Sequence, residues 1–271
     1  MPEGDIVRRT AARLDQALAG RPLTRAELRW PTAAEVDLTG RTVLANVPYG
    51  KHLLTRLDDG RTLHTHLRME GRWSIERTGS REASGRRADV RALLGNEVWT
   101  ALGKDLGMLD VVPTRDEHSL IGHLGPDVLA DDFPQAGLPE ALRRWAANGQ
   151  RPVCEVLLDQ RVAAGIGTIY LAESLFTLGV WPWTPAGQVD DPARVLGVAR
   201  RLMQRSIASA VPGSTGERAR GATTLVHGRA GQPCRRCGAP IAVGEAGSAP
   251  FTRPVFFCPR CQPDPGTRTP R

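Results

Sequence analysis

Lysine is almost missing from this chain of 271 residues: it occurs only as Lys51 and Lys104, although lysine and arginine together number 36. Arginine therefore carries nearly all the positive charge, and a lysine at a turn becomes a residue to explain. Long apolar runs are missing as well. No stretch reaches the roughly eighteen apolar residues that a membrane-spanning helix needs, which excludes one. The first ten residues carry acids and arginines instead of an apolar signal core, so the expected setting is cytoplasmic. Cysteine is sparse. Of the five, four fall in two close pairs and Cys154 stands alone. In an intracellular chain that pattern excludes a disulfide framework and reads as a metal site plus one buried thiol. No internal repeat is present.

What is abundant is positive charge. The formal charge is +7 and the pI about 9.8, which points to a polyanionic partner. Residues 213–271 hold nine arginines against Glu217, Glu245 and Asp264, a net +6, so the excess is a local patch. The length suffices for two modest domains with cores of their own.

The start, Met1-Pro2-Glu3-Gly4, is chemically unusual. With Met1 removed, as a small second residue permits, Pro2 becomes a free secondary amine beside a carboxylate. Such an amine attacks electrophilic carbon and forms an iminium. A chain amine titrates near ~7.7–8.0, against ~10.4 for lysine, so more of it is neutral at pH 7. Ile6, Val7, Ala11, Leu14 and Leu18 then recur at helical spacing. A helix starting there disfavours the ammonium further, by ~0.3–1 kcal/mol. The plain alternative is an ordinary chain end before a helix.

Short β-like runs follow at 41–47, 52–57, 62–67, 73–75, 90–94 and 97–101, separated by turns such as Asp58-Asp59-Gly60. Their spacing predicts an antiparallel sandwich or barrel, with 76–88 as a polar loop. Residues 113–134 show little periodicity and read as a connection. Helices are predicted over 138–147, 152–159, 169–178 and 191–208, then glycine-rich coil over 211–221.

Cys234-x2-Cys237 and Cys258-x2-Cys261 lie twenty residues apart, with candidate hairpin strands at 241–243 and 255–257 between them. Two turns that each present two thiolates close a tetrahedral zinc site, and four protein ligands leave no open position for catalysis. Arg235, Arg236, Arg253 and Arg260 surround it, which suits a phosphate backbone; a solvated face is the alternative. Gly165-Ile166-Gly167-Thr168 joins two predicted helices and offers free N–H groups to phosphate, or is a plain interhelical turn. Gly50-Lys51-His52 occupies a strand turn, where the lysine is either solvated or a phosphate or catalytic contact. His64 and His66 share one strand face without an evident third metal ligand. Met69, in the turn Leu67-Arg68-Met69-Glu70-Gly71, is either core or a wedge for a base stack.

Together these residues resemble the formamidopyrimidine-DNA glycosylase and endonuclease VIII family of base-excision repair enzymes, over residues 2–262. The resemblance is carried by Pro2-Glu3-Gly4, Gly50-Lys51-His52, Leu124-Gly125-Pro126-Asp127, Leu158-Asp159-Gln160-Arg161 through Glu173, and His227-Gly228-Arg229-x-Gly231-x-Pro233-Cys234 on to Cys261-Gln262. It implies an α+β multidomain fold: an N-terminal antiparallel β-sandwich with a flanking helix, a C-terminal helical domain with a helix–two-turn–helix, and a zinc-ribbon hairpin. The corresponding boundaries are 1–120 for the catalytic sandwich, 121–135 for a linker and 136–225 for the helical domain. Residues 226–263 are the zinc finger, and 264–271 a disordered tail.

The resemblance also implies a bifunctional glycosylase and abasic-site lyase. Its partner is damaged DNA, double- or single-stranded, bound in a basic cleft with the damaged nucleotide flipped out; it acts as a nucleoid-associated monomer without a membrane. Pro2 attacks C1′, Glu3 moves protons, Lys51 contacts phosphate near the lesion, and the iminium leads to β,δ-elimination. Met69, with Arg68, fills the gap left by the flipped base. Gly167 and Thr168 bind phosphate at a helix start, and Arg253 holds the backbone. Cys234, Cys237, Cys258 and Cys261 hold one structural zinc ion.

Three positions depart from the family pattern. Thr168 stands where asparagine is general, and Ile6 where many members have a second carboxylate. No Arg-x-Phe pair occurs near residues 103–109. The Arg253-Pro254 wording sits closer to the endonuclease VIII branch, so oxidised pyrimidines and abasic sites are the expected substrates. The alternatives are a branch acting on oxidised purines, a catalytically lapsed DNA-binding protein of the same fold, and a basic zinc-ribbon protein unrelated to damage.

Overall fold

The computed structural model describes residues 2–217, 219 and 221–267. Met1, whose removal is expected above, and residues 268–271 of the expected tail lie outside them. The chain divides into two compact units, Met1–His123 and Leu124–Arg271.

The first unit opens with helix α1, Gly4–Leu18. Val7, Ala11, Leu14 and Leu18 are spaced to share one face, and all are buried. Removing each large aliphatic side chain of that face from water contributes ~1.5–3 kcal/mol. The strands that follow are β1 (Arg25–Leu28), β2 (Val43–Tyr49), β3 (His52–Leu57), β4 (Arg61–His66), β5 (Arg72–Arg77), β6 (Val90–Gly95), β7 (Trp99–Lys104) and β8 (Met108–Pro113). They form two antiparallel sheets, in the orders β1-β6-β7-β5 and β2-β3-β4-β8. One core cluster draws Leu28, Trp73, Ala92 and Ala101 from the first sheet, Val43, Leu53, Leu63 and Leu109 from the second, and the buried face of α1. A short helix α2, His118–Ile121, closes the unit.

Two strands were not legible in advance. The first, β1, is only four residues long and half charged. In β8, Asp110 interrupts the apolar run, because it pairs with His64 across the sheet instead of entering the core. The expected polar loop is partly structured: β5 continues to Arg77, and Glu82–Ser84 form a 3-10 turn with Ala83 buried.

The second unit contains α3 (Leu138–Ala146), α4 (Val153–Leu158), α5 (Thr168–Leu178), α6 (Pro192–Ala208) and a hairpin of β9 (Ala242–Ala246) with β10 (Arg253–Phe257). Asp191 caps α6 by accepting the Arg194 N–H at 2.8 Å. Residues 124–134 are not a bare connection. Val128, Leu129 and Phe133 are buried in this unit's core, and Asp127 forms a parallel bridge with Ala164. The segment folds as turns, so its apolar residues show neither helical nor strand periodicity. At the other end, Pro265–Thr267 make a 3-10 turn.

Candidate nucleic-acid interface and cysteine centre

Pro2 immediately precedes α1 and is half-buried. Glu3 is the N-cap, its backbone carbonyl accepting the Ile6 and Val7 N–H groups at 3.1 and 3.2 Å, and it is only 1% exposed. The chain nitrogen of Pro2 therefore lies next to the positive end of a fifteen-residue helix and one residue from a buried carboxylate. Asp5, the acid nearest to Ile6, is buried in the first turn.

Lys51 sits in the two-residue turn between β2 and β3, where Tyr49 pairs with His52. Gly50 takes φ +56°, the conformation that a tight turn of this kind requires at its first central position. Lys51 is buried. The next residue begins a cluster of imidazoles. His52 lies opposite His66 in the β3–β4 register, and His64 lies opposite Asp110 in the β4–β8 register. His52 Nδ1 is 2.8 Å from His64 Nε2, and His64 Nδ1 is 3.1 Å from Asp110 Oδ2. The His52 and His66 rings meet edge-on at 4.8 Å.

Burial, reinforced by positive neighbours including Lys51, pushes His52 down to about 3. His66 falls to about 4, through burial and then Arg68 and Lys51. His64 is lowered by burial, with Asp110 opposing. These imidazoles are neutral in the folded chain at pH 7 and titrate near their ordinary value when unfolded. Below about pH 6.5 the unfolded state binds more protons, so their contribution to stability is complete above that pH and is lost as pH falls towards 4 and 3. We expect the unfolding free energy of the first unit, read from urea curves, to fall between pH 7 and pH 5, by up to ~1.4 kcal/mol per pH unit for each of His52 and His66. A flat profile over that range would show the imidazoles to be solvated.

The strand β4 runs into the turn with Arg68 and Met69 at its tip. Arg68 is held at φ +53°, a region that side chains rarely adopt, and its N–H donates to His66 Nδ1 at 2.9 Å. Gly107 makes room: a Cβ there would collide with the Arg68 side chain. Met69 is 57% exposed, so it is not core.

In the second unit Gln160 organises the turns between α4 and α5. Its Nε2 donates to the Leu158 and Ile166 carbonyls at 2.9 Å each, and its Oε1 accepts the Gly165 N–H at 3.0 Å. Gly125 packs so closely on the Val162 carbonyl that no Cβ fits, which ties Leu124-Gly125-Pro126-Asp127 to the same turns. Gly167 is the N-cap of α5 without a side-chain cap of its own, and Thr168 opens the helix. The Thr168 hydroxyl lies 3.4 Å from His227 Nε2. Behind it Glu173, fully buried, accepts the Ser214 hydroxyl at 2.5 Å and the N–H groups of Leu225, Val226 and His227 at 2.8, 2.8 and 2.9 Å. That carboxylate fixes the segment leading to the first cysteine pair.

The four cysteine sulfurs of Cys234, Cys237, Cys258 and Cys261 lie within 4.8 Å of one another, with Cys237–Cys258 at 3.5 Å and Cys234–Cys261 at 4.0 Å. A tetrahedron with metal–sulfur bonds of ~2.3 Å has sulfur–sulfur edges of about 3.8 Å, so the donors fit one ion. Gln262 clamps the second knuckle, accepting the Cys258 N–H at 3.0 Å and donating to the Val180 carbonyl at 2.8 Å. The hairpin rests on Trp181 and Trp183, whose rings meet Phe257 edge-on. Arg253 heads β10 and is exposed. Cys154 lies elsewhere, fully buried, its thiol pushed up to about 12 by burial, and is inert by that measure.

Two family models match the chain: the formamidopyrimidine-DNA glycosylase N-terminal domain over residues 1–104, and the H2TH domain of the same glycosylase over 124–216. The chain belongs to the formamidopyrimidine-DNA glycosylase and endonuclease VIII family. A probable endonuclease 8 from Streptomyces coelicolor is 46% identical, the match covering 99% of this chain and 98% of that one. A DNA-(apurinic or apyrimidinic site) lyase from Mycolicibacterium smegmatis is 39% identical over 97% and 99%. The crystal structure of the MutM (Fpg) protein from Thermus thermophilus superposes with a TM-score of 0.77 at 29% identity, covering 96% of this chain and 98% of that one. Within this family, the α+β arrangement of sandwich, helices and cysteine hairpin is thus the fold of the present chain. The H2TH match begins at residue 124, where the second compact unit begins, so it takes in the turns packed around Phe133.

Sequence reasoning singled out Glu173 and Gln160 only as letters of a motif, and missed Asp110 entirely. The one signal for Asp110 was an acid between the apolar Leu109 and Val111, on the strand face turned away from the core.

Proposed function

We propose that this family member is a bifunctional DNA glycosylase and abasic-site lyase. The observation that carries the reading is Pro2, placed at the positive end of α1 beside buried Glu3, in a chain that matches its relatives along nearly its whole length. The neutral Pro2 nitrogen attacks C1′, displacing the protonated base from a damaged nucleotide or water from an abasic one, and the sugar ring opens to an iminium. Glu3 shuttles the proton to the ring oxygen and then those of the eliminations. The iminium acidifies the adjacent C2′–H, and β- then δ-elimination cleave the strand. Lys51 and the α5 start at Gly167 and Thr168 hold phosphates; Arg68 and Met69 occupy the space of the flipped base; Arg253 grips the backbone. Residues 1–120, 136–225 and 226–263 serve as catalytic, helical and zinc-finger domains of a nucleoid-associated enzyme. No helix of the described residues is long and apolar enough to cross a membrane.

Oxidised pyrimidines are the preferred damaged bases in this reading, supported by the endonuclease 8 relative and the absent Arg-x-Phe pair. A duplex carrying an abasic site should be cleaved with a δ-elimination end and trapped by borohydride, and a lesion panel should rank oxidised pyrimidines above oxidised purines. Affinity should fall by ~0.9 log unit per log unit of salt for each phosphate contacted. Lesion binding without turnover would instead support a lapsed DNA-binding protein, the reading that Ile6 and Thr168 favour.

The ion held by Cys234, Cys237, Cys258 and Cys261 is zinc, one per chain, and when bound it supplies rigidity to the hairpin that carries Arg253. Small fingers owe on the order of 10 kcal/mol of their folding to such an ion. Cys258→Ser should therefore lose the metal in elemental analysis and lower affinity for abasic DNA. Full zinc content in that variant would mean that the ligand set is wrong.

A further inference from the structure

The imidazole cluster joins two places that the proposed function treats separately. From Asp110 on β8, a line of side chains crosses to His64 on β4 and then to His52 on β3, at 3.1 and 2.8 Å. The His52 ring meets His66 at 4.8 Å, and His66 Nδ1 accepts the Arg68 N–H. The line thus touches the strand start behind Lys51 and the left-handed backbone of the Arg68–Met69 turn. We propose that Asp110, His64 and His52 are positioning residues, a hydrogen-bonded chain that sets both the Lys51 hairpin and the Arg68–Met69 turn from one anchored carboxylate.

The chemistry of the chain makes it directional. A carboxylate only accepts, so Asp110 fixes His64 as the Nδ1–H tautomer. His64 Nε2 is then an acceptor, and His52 must present Nδ1–H to it. His66 Nδ1, already accepting from a backbone N–H, leaves its proton on Nε2. Each ring therefore has one allowed tautomer and one allowed flip. The His64 side chain is 1% exposed and Asp110 36% exposed, so the anchor is reached by water while the ring it holds is not. The charged or titratable groups facing His52 are Lys51, His64, His66 and His123, and those facing His66 include Arg68. All are basic, so neutral rings with fixed protons are what lets them crowd together. Without Asp110, His64 is free to move its proton to Nε2 and face the His52 N–H donor to donor. That turns His52 away and releases the ring against which His66, and through it Arg68, is held.

This inference rests on the proposed roles of Lys51 and Arg68, and its test separates the two. Nitrogen-15 histidine spectra of the full chain should show His52 and His64 as neutral Nδ1–H tautomers and His66 as Nε2–H, whatever the enzyme's activity. Asp110→Ala should switch the His64 tautomer and lower kcat/KM on abasic duplex by about 10-fold, because a small misplacement of holding groups is costly. Asp110→Asn keeps an acceptor oxygen and should restore activity to within about threefold of wild type. Different tautomers in the wild-type spectra would overturn the chain. So would an alanine variant that switches tautomer and cleaves normally, or an asparagine variant no better than alanine. Wild-type spectra as expected in a protein that never cleaves would leave the chain standing and remove the proposed function instead.

Discussion

A chain whose Pro2 nitrogen is blocked by a retained upstream residue should form no borohydride-trapped adduct with abasic DNA, a loss of roughly 10³-fold or more. An amide nitrogen has its lone pair delocalised into the carbonyl and cannot add to C1′. Pro2→Gly is the subtler variant, since a primary amine can still form an imine. It should trap and cleave slowly, because the pyrrolidine ring that fixes the nitrogen before Glu3 is gone. Binding to a duplex with a non-cleavable abasic analogue should change little in either protein, as the phosphate contacts are elsewhere. The position of Pro2 beside the positive end of α1 adds a pH expectation. The ammonium is disfavoured there, so trapping should persist at pH values where a lysine amine is already silent. A blocked chain that traps at the wild-type rate would remove Pro2 as the nucleophile, and a crosslink mapped to Lys51 would replace it.

What the sequence disclosed was what depends on near neighbours along the chain. The α1 helix was readable because Val7, Ala11, Leu14 and Leu18 repeat at its period. The cysteine quartet was readable because ligand spacing within each knuckle is local; the sulfurs do converge. What depends on strand register was hidden. His64 and His66 could be placed on one face by alternation, but the facts that His52 lies opposite His66 and Asp110 opposite His64 are properties of pairing between strands. The same holds for the hairpin of β9 and β10, whose pairing runs from Ala246–Arg253 to Ala242–Phe257, well beyond the few β-rich residues that marked it. Residues 124–134 read as a bare connection because turns bury Val128 and Phe133 without any period to betray it.

The second large effect belongs to Glu173. Its carboxylate is fully buried and collects four donors, three of them backbone N–H groups at Leu225, Val226 and His227. Glu173→Ala removes the acceptor and strands those donors away from water, which should destabilise the second unit by ~3–5 kcal/mol. Against a typical total of ~5–15 kcal/mol that is enough to leave the variant partly unfolded at moderate urea. Glu173→Gln should cost less, about 1–3 kcal/mol, for a reason visible in the partners. Its remaining oxygen can take the place of Oε1 and accept from Val226 and His227. The new NH2 then sits at Oε2, where the Ser214 hydroxyl can rotate to accept from it, and only the Leu225 N–H is left opposed. Ser214→Ala in the glutamine background should therefore be worse than in wild type, since it removes the one group able to adapt. Denaturant curves of the wild type and the four variants measure this order. A glutamine variant as unstable as alanine would mean that the segment at 225–227 tolerates no change in its acceptor. An alanine variant as stable as wild type would mean that water reaches those N–H groups and that Glu173 does not hold the approach to Cys234.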